Sequence, residues 1–387
     1  MSAFFASFLI ALGLGQIISS TQGWRAASLV GASRAAGFGV GIILLLSGVL
    51  TLPNNWAALA WTLLTGPLAL GLLLLAGAYI APPPHPNRLF APTHPDHAGC
   101  QAVQIRDGDH RMPGWLLQPL PGVAQAGAAV CIVPGAGDHK SSFKWRLVTA
   151  LLAEGLTVLT IDPPGHGDYR HRPLTYPDCL SAVPAALEFL RQQPGIERVG
   201  IAGISLGGAL AIRSLVEPAL AEKGGFGRVE ALVVLETPVN LNYNRALVYR
   251  EAWAAGRAPV LSLLREISFG QIIQSWRSGG YHSPYRTGEL IELLNPAQNI
   301  ARIKDTPILL VYSQRDPIAP PAAALAMRQA VPQADLLISP TASHVTLTLL
   351  PEINRPVACW LRQQLTSQPT NYLTNQLTIN NESSHRA

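Results

Sequence analysis

Charge is the first thing missing from this sequence. Asp, Glu, Lys and Arg make up 13% of its 387 residues, and none of the four occurs in residues 1–24 or 35–87. Stretches this long without charge rarely belong to a soluble core, so the amino-terminal region reads as membrane. It holds three apolar runs, 3–19, 36–52 and 57–80. A bilayer-spanning helix needs about 20 apolar residues. Three transmembrane helices are therefore expected, the third carrying Pro67 as a kink. Trp24, Trp56, Trp61 and Tyr79 sit near the ends of the runs, as interface anchors do. A basic leader is also missing: no Lys or Arg precedes Arg25, which argues against a cleaved secretory signal. Arg25 and Arg34 lie between the first two runs and Arg88 follows the third. The positive-inside rule then expects a multi-pass cell-membrane protein, with its amino terminus outside and residue 88 onward in the cytoplasm.

Cysteine is scarce too. The four, Cys100, Cys131, Cys179 and Cys359, show neither paired nor metal-like spacing, which fits a reducing compartment without a disulfide framework. The net charge is +5, yet the basic residues are scattered, so no nucleic-acid surface is expected. A proline-rich stretch at 81–98 reads as a stiff linker. It contains His94, Asp96 and His97 but gives a metal no rigid scaffold, so no metal site is expected there.

Beyond the linker, short apolar runs alternate with amphipathic stretches. Strands are expected at 113–119 (as an edge strand), 128–133, 156–161, 199–202, 229–235, 307–312 and 336–338. Helices are expected at 143–154, 177–193, 320–330 and 350–365. Strands separated by helices imply an α/β domain over residues 99–365, built on a mostly parallel sheet flanked by helices. Residues 366–387, rich in Asn, Thr and Ser, read as a disordered tail. One interval, about 240–304, is too long for an ordinary connection and is expected to form a helical cap, with a helical stretch at 261–274.

The stretch around which this pattern turns is Gly203-Ile204-Ser205-Leu206-Gly207, between an apolar strand and an Ala/Leu/Ile helix. A strand–turn–helix carrying Gly-x-Ser-x-Gly puts the serine hydroxyl on an exposed apex above a helix amino terminus. A serine nucleophile needs a base, and the base an orienting carboxylate. Asp316, after the strand at 307–312, and His344, after the last strand, supply them in the order Ser, Asp, His. Glu236 is the alternative acid and His166 a competing base, for which a structural role is expected. The oxyanion donors are expected to be the N–H groups of Leu206 and of Ala136, in the turn Pro134-Gly135-Ala136-Gly137. Asp138 and His139 come after that turn, to line the pocket or cap the next helix.

These residues, with Asp162 and Gly165-His166-Gly167, give the chain a resemblance to the α/β-hydrolase superfamily. Within it the chain is most similar to the esterase, monoacylglycerol-lipase and serine-aminopeptidase-like group. That group often has His-Gly where this chain has Pro134-Gly135. The resemblance implies an α/β-hydrolase fold with a helical cap. It also implies a serine hydrolase that cleaves a carboxylic ester or related acyl bond, with no cofactor and no metal. The substrate would be a small acyl compound, with a lipid-derived one in view, and membrane lipid would surround the anchor. An acyltransferase or peptidase using the same residues, or a non-catalytic binding module, stays open.

Overall fold

Alternation of buried residues organises the sheet. In Ala128–Val133 every residue is buried, with Ala129, Cys131 and Val133 packing into one apolar cluster and Ala128, Val130 and Ile132 into another. Successive side chains of a strand point to opposite faces, so a strand covered on both faces reads as an unbroken apolar run. The computed structural model describes residues 3–22, 28–30, 33–53, 56–80, 99–119, 122–140, 145–217, 229–257 and 281–366. The linker at 81–98, the tail at 367–387 and the helical stretch at 261–274 lie outside the described residues. The chain divides into two compact units, the amino-terminal helices forming one and the sheet the other.

The first unit contains α1 (Ala3–Gln22), α2 (Arg34–Thr51) and α3 (Trp56–Ile80). Helix α2 is capped by Ser33, whose hydroxyl accepts the Ala36 N–H at 3.0 Å. Helices α1 and α2 cross through small residues. A Cβ on Gly41 would fall 2.7 Å from the Ile17 side chain, and one on Gly48 would fall 2.7 Å from the Ala6 carbonyl. Only glycine permits so close an approach of two backbones. Two of the helices, α1 and α2, are long and apolar enough to cross a membrane, where three were expected. In the third the apolar part that can be assessed is the shorter Leu63–Ala76, so it does not meet that length among the described residues.

The second unit is an eight-stranded sheet: β1 (Cys100–Asp107), β2 (His110–Leu117), β3 (Ala128–Val133), β4 (Thr157–Ile161), β5 (Arg198–Ile204), β6 (Ala231–Leu235), β7 (Ile308–Ser313) and β8 (Asp335–Ser339). Their spatial order is β1-β2-β4-β3-β5-β6-β7-β8. β1 and β2 form an antiparallel hairpin, β2 pairs antiparallel with β4, and the other pairs are parallel. The expected edge strand at 113–119 is therefore corrected. It begins earlier, at His110, and lies second from the edge, because β1 covers it. The alternating, half-polar Cys100–Asp107 carries too little apolar character to announce a strand by itself.

Helices cover both faces. On one lie α4 (Trp145–Ala153) and α11 (Pro351–Thr366). On the other lie α5 (Ala182–Arg191), α6 (Leu206–Leu215) and α10 (Pro321–Ala330). The helix expected over 177–193 is a 3-10 turn, Asp178–Ser181, leading into α5. The interval read as a cap divides. α7 (Arg245–Gly256) leaves Tyr249 and Trp253 exposed, whereas α8 (Thr287–Leu294) and α9 (Pro296–Ile300) bury Leu290, Ile291, Leu294 and Ile300 in the core cluster that includes α6. Its closing part thus packs into the domain. Residues 258–280 lie outside the described residues.

Candidate active site

Parallel pairing brings the carboxyl ends of β3 to β8 to one edge of the sheet. Ser205 follows β5 there with φ 52° and ψ −120°, a conformation that non-glycine residues rarely adopt. The surrounding glycines make room for it. A Cβ on Gly203 would lie 2.6 Å from the Gly208 Cα, and one on Gly135 would lie 3.1 Å from the Ser205 Cβ. The turn is held by Ser205 N–H donating to the Leu235 carbonyl at 2.8 Å and by the Thr237 hydroxyl donating to the Ser205 carbonyl at 3.0 Å. Helix α6 begins at the next residue, Leu206, so its first turn opens beside the serine.

His344, after β8, reaches Ser205 across 139 positions of sequence: its Nε2 lies 3.0 Å from Ser205 Oγ. Its Nδ1 lies 2.7 Å from Oδ2 of Asp316. Asp316, 2% exposed, follows β7 and is fixed in turn, because its Oδ1 accepts the N–H groups of Ile318 at 2.7 Å and Ala319 at 2.8 Å. Burial pulls the His344 imidazole down. The charge of Asp316 and the hydrogen bond to it outweigh burial, Glu251 and Asp138 add to them, and the ring holds its proton above its ordinary value of 6.5. The line Ser205–His344–Asp316 can pass a proton from a hydroxyl to an imidazole whose orientation and tautomer a carboxylate fixes.

Glu236, the alternative acid, is fully buried after β6 with φ 50°. Oxygen atoms of Glu236 and Asp316 and a ring nitrogen of His344 lie within 4.8 Å of one another. Both imidazole nitrogens are already engaged by Ser205 and Asp316, so a metal ion would have to displace one of them. His166 makes other contacts: its Nδ1 lies 2.9 Å from the Pro164 carbonyl and its ring stacks on Tyr281 with centroids 5.3 Å apart.

Ala136 lies exposed in the turn after β3, next to Gly135, which faces Ser205. Sequence reasoning missed what anchors this loop. Lys140 donates from its N–H to Asp162 Oδ1 at 2.6 Å, and its ammonium pairs with both Asp162 and Asp168. The loops after β3 and β4 are thereby tied together through the fully buried Asp162. It also missed Glu251 on α7, whose carboxylate accepts the N–H groups of His344 at 3.3 Å and Val345 at 2.9 Å. No motif surrounds either residue; an acid or lysine acquires such a role only through contacts distant in sequence.

Solved structures share this architecture. A 2,6-dihydroxy-pseudo-oxynicotine hydrolase is 16% identical, with a TM-score of 0.50 over 95% of this chain and 90% of its own. EstE1, a thermophilic carboxylesterase cloned from a metagenomic library, is 17% identical, with a TM-score of 0.50 over 73% of this chain and 94% of its own. At such identities the likeness is one of fold. No curated protein matches the sequence. A model of the alpha/beta hydrolase family matches residues 129–356, from β3 into α11 and across Ser205, Asp316 and His344, and the chain belongs to that family.

Proposed function

We propose that this chain is a membrane-anchored serine hydrolase that cleaves a carboxylic ester through an acyl-enzyme intermediate. The observation that carries the reading is the hydrogen-bonded line from Ser205 Oγ through His344 to Asp316. Ser205 Oγ attacks the acyl carbon while His344 Nε2 accepts its proton. The proton then passes to the leaving alcohol, and water, deprotonated by His344, releases the acid and regenerates Ser205. The N–H groups of Leu206 and Ala136 hold the oxyanion. Tyr249 at 74% exposure and Trp253 at 69%, on the same helix as Arg245 and Arg250, favour an apolar acyl substrate. The full chain in detergent is therefore expected to hydrolyse medium-chain esters faster than acetyl esters. Its kcat/KM should fall as pH drops through a value above 6.5, because a raised imidazole stays protonated, and unable to act as a base, up to a higher pH. A strict acetyl preference would remove the apolar-substrate reading. An acid limb below the ordinary histidine range would remove His344 as the base.

Support for the anchor comes from an inside-out distribution in the first unit. Gln16 is fully buried and accepts the Leu29 N–H at 2.6 Å, while Leu50 is 83% and Leu63 77% exposed. Polar and small residues inside, with large apolar ones outside, suit helices packed in lipid. Arg25 and Arg34 place the connection between α1 and α2 in the cytoplasm by the positive-inside rule. A cytoplasmic hydrolase domain then requires the 25-residue α3 to return the chain, in agreement with Arg88 just beyond it. Reporter fusions at Asn54 should read as external and fusions after residue 90 as cytoplasmic. An external reading after residue 90 would leave two passes and move the domain to the other side.

A further inference from the structure

Helix α7 carries a group that the hydrolytic steps above do not use. Glu251 is 7% exposed, although it lies on a helix whose Tyr249 and Trp253 face outward. Its carboxylate is spent on one short segment of backbone. Oε2 accepts the His344 N–H at 3.3 Å, Oε1 accepts the Val345 N–H at 2.9 Å, and the Ser343 hydroxyl also bonds to it. These three residues are the turn on which His344 stands. Among the described interactions of that turn, the others are local or come from the sheet: Ser343 N–H donates to Thr346 Oγ1 at 2.7 Å, and the Ser313 hydroxyl donates to the Ala342 carbonyl.

A buried carboxylate costs several kcal/mol unless backbone N–H groups or cations compensate it. Here two N–H groups do so, and both belong to the turn bearing the imidazole. The imidazole itself is held at its ring by Asp316 and Ser205, on two other loops. We infer that Glu251 is a positioning residue: through the His344 and Val345 N–H groups it fixes the turn from the side of α7, so that helix placement and the aim of His344 Nε2 at Ser205 are set together. This rests on the reading of His344 as the base. A helix inserted between β6 and β7 thus contributes to a site otherwise built from the ends of the strands.

The same carboxylate acts on His344 through its charge. Among the described residues, the groups facing the ring are Asp316 after β7, Glu236 after β6, Asp138 after β3 and Glu251 on α7. Removing the Glu251 charge leaves the other three and takes away one influence that keeps the ring protonated. The sign is therefore fixed: without it the imidazole loses its proton at lower pH, and the acid limb of the rate moves down.

The test compares Glu251→Ala, Glu251→Gln and Ser205→Ala in the full chain, with a medium-chain nitrophenyl ester and a fluorophosphonate probe. Misplacing a catalytic base costs up to about 100-fold, so Glu251→Ala is expected to lose roughly 10- to 100-fold in kcat with little change in KM. Glu251→Gln retains an oxygen acceptor for one N–H and should recover most of kcat, while its acid limb lies below that of the wild type. Thermal unfolding checks that each variant is folded. A folded Glu251→Ala with wild-type kcat and acid limb would overturn the inference. If that variant does not fold, an unshifted acid limb in Glu251→Gln overturns it instead. Ser205→Ala separates the two readings. If it is as active as the wild type, the serine mechanism fails and the loss in Glu251→Ala reports something else.

Discussion

Ser205→Ala is expected to abolish fluorophosphonate labelling and to lower kcat by about 10⁵- to 10⁶-fold, leaving a residue of rate from substrate binding and the oxyanion donors. The size of the effect reflects how few alternatives the site holds. Ser313 and Ser343 are nearby in the sheet edge, but both are buried; the Ser313 hydroxyl is committed to the Ala342 carbonyl, and that of Ser343 to Glu251 and Thr346 Oγ1. The four thiols are unsuited to take over. Burial pushes Cys100, Cys131 and Cys179 up to about 12 and Cys359 up to about 11, so almost no thiolate forms near neutral pH. Among the described residues, only Ser205 combines a strained backbone, an opening helix terminus and an imidazole nitrogen 3.0 Å away. Equal labelling of wild type and Ser205→Ala, measured by mass spectrometry of the modified peptide, would end the assignment.

The second large effect is expected at Asp316. Its Oδ2 receives His344 Nδ1 and its Oδ1 receives two backbone N–H groups, so every bond it makes requires an acceptor. Asparagine supplies only one oxygen. If that oxygen stays on the backbone donors, an amide N–H faces Nδ1, the imidazole adopts the other tautomer, and Nε2 can no longer accept a proton. A loss of about 10⁴-fold in kcat is the scale of such a tautomer error. Glu236→Gln should do little, although Glu236 is equally buried and close by, because the imidazole hydrogen bond is made by Asp316. Steady-state kinetics of the two variants decide the matter. A severe loss in Glu236→Gln with a mild one in Asp316→Asn would move the acid to the end of β6.

The two residues differ in how openly the sequence announces them. The Gly203–Gly207 turn around Ser205, between an apolar strand and an Ala-rich helix, was legible from spacing alone, because the requirement for small residues at a sharp turn is local. The same holds for the inner parallel strands, whose burial on both faces forces apolar runs such as 308–312 in β7. The hairpin strand Cys100–Asp107 was not legible, because half its residues face water and its pairing with His110–Leu117 is what makes it a strand. Nor was the division of the interval 240–304. Leu290, Ile291 and Leu294 fit a surface amphipathic helix as well as a core one, and only packing in the core cluster with Leu206–Leu215 decides between them.

By itself the sequence determined the charge-free amino terminus, the α/β rhythm, the elbow at Ser205 and the order in which Asp316 and His344 come after it. Each of these is written in residues that are neighbours along the chain or repeat at a fixed period. Tertiary structure alone decided that His344 meets Ser205 across 139 residues, that Asp316 rather than Glu236 holds the ring, and that Glu251 bonds to the turn beneath it across 93. These contacts depend on which strands lie side by side and on a hydrogen-bond geometry good to a few tenths of an ångström. Periodicity carries no information about either, because it records which face of an element is buried and not what stands opposite that face.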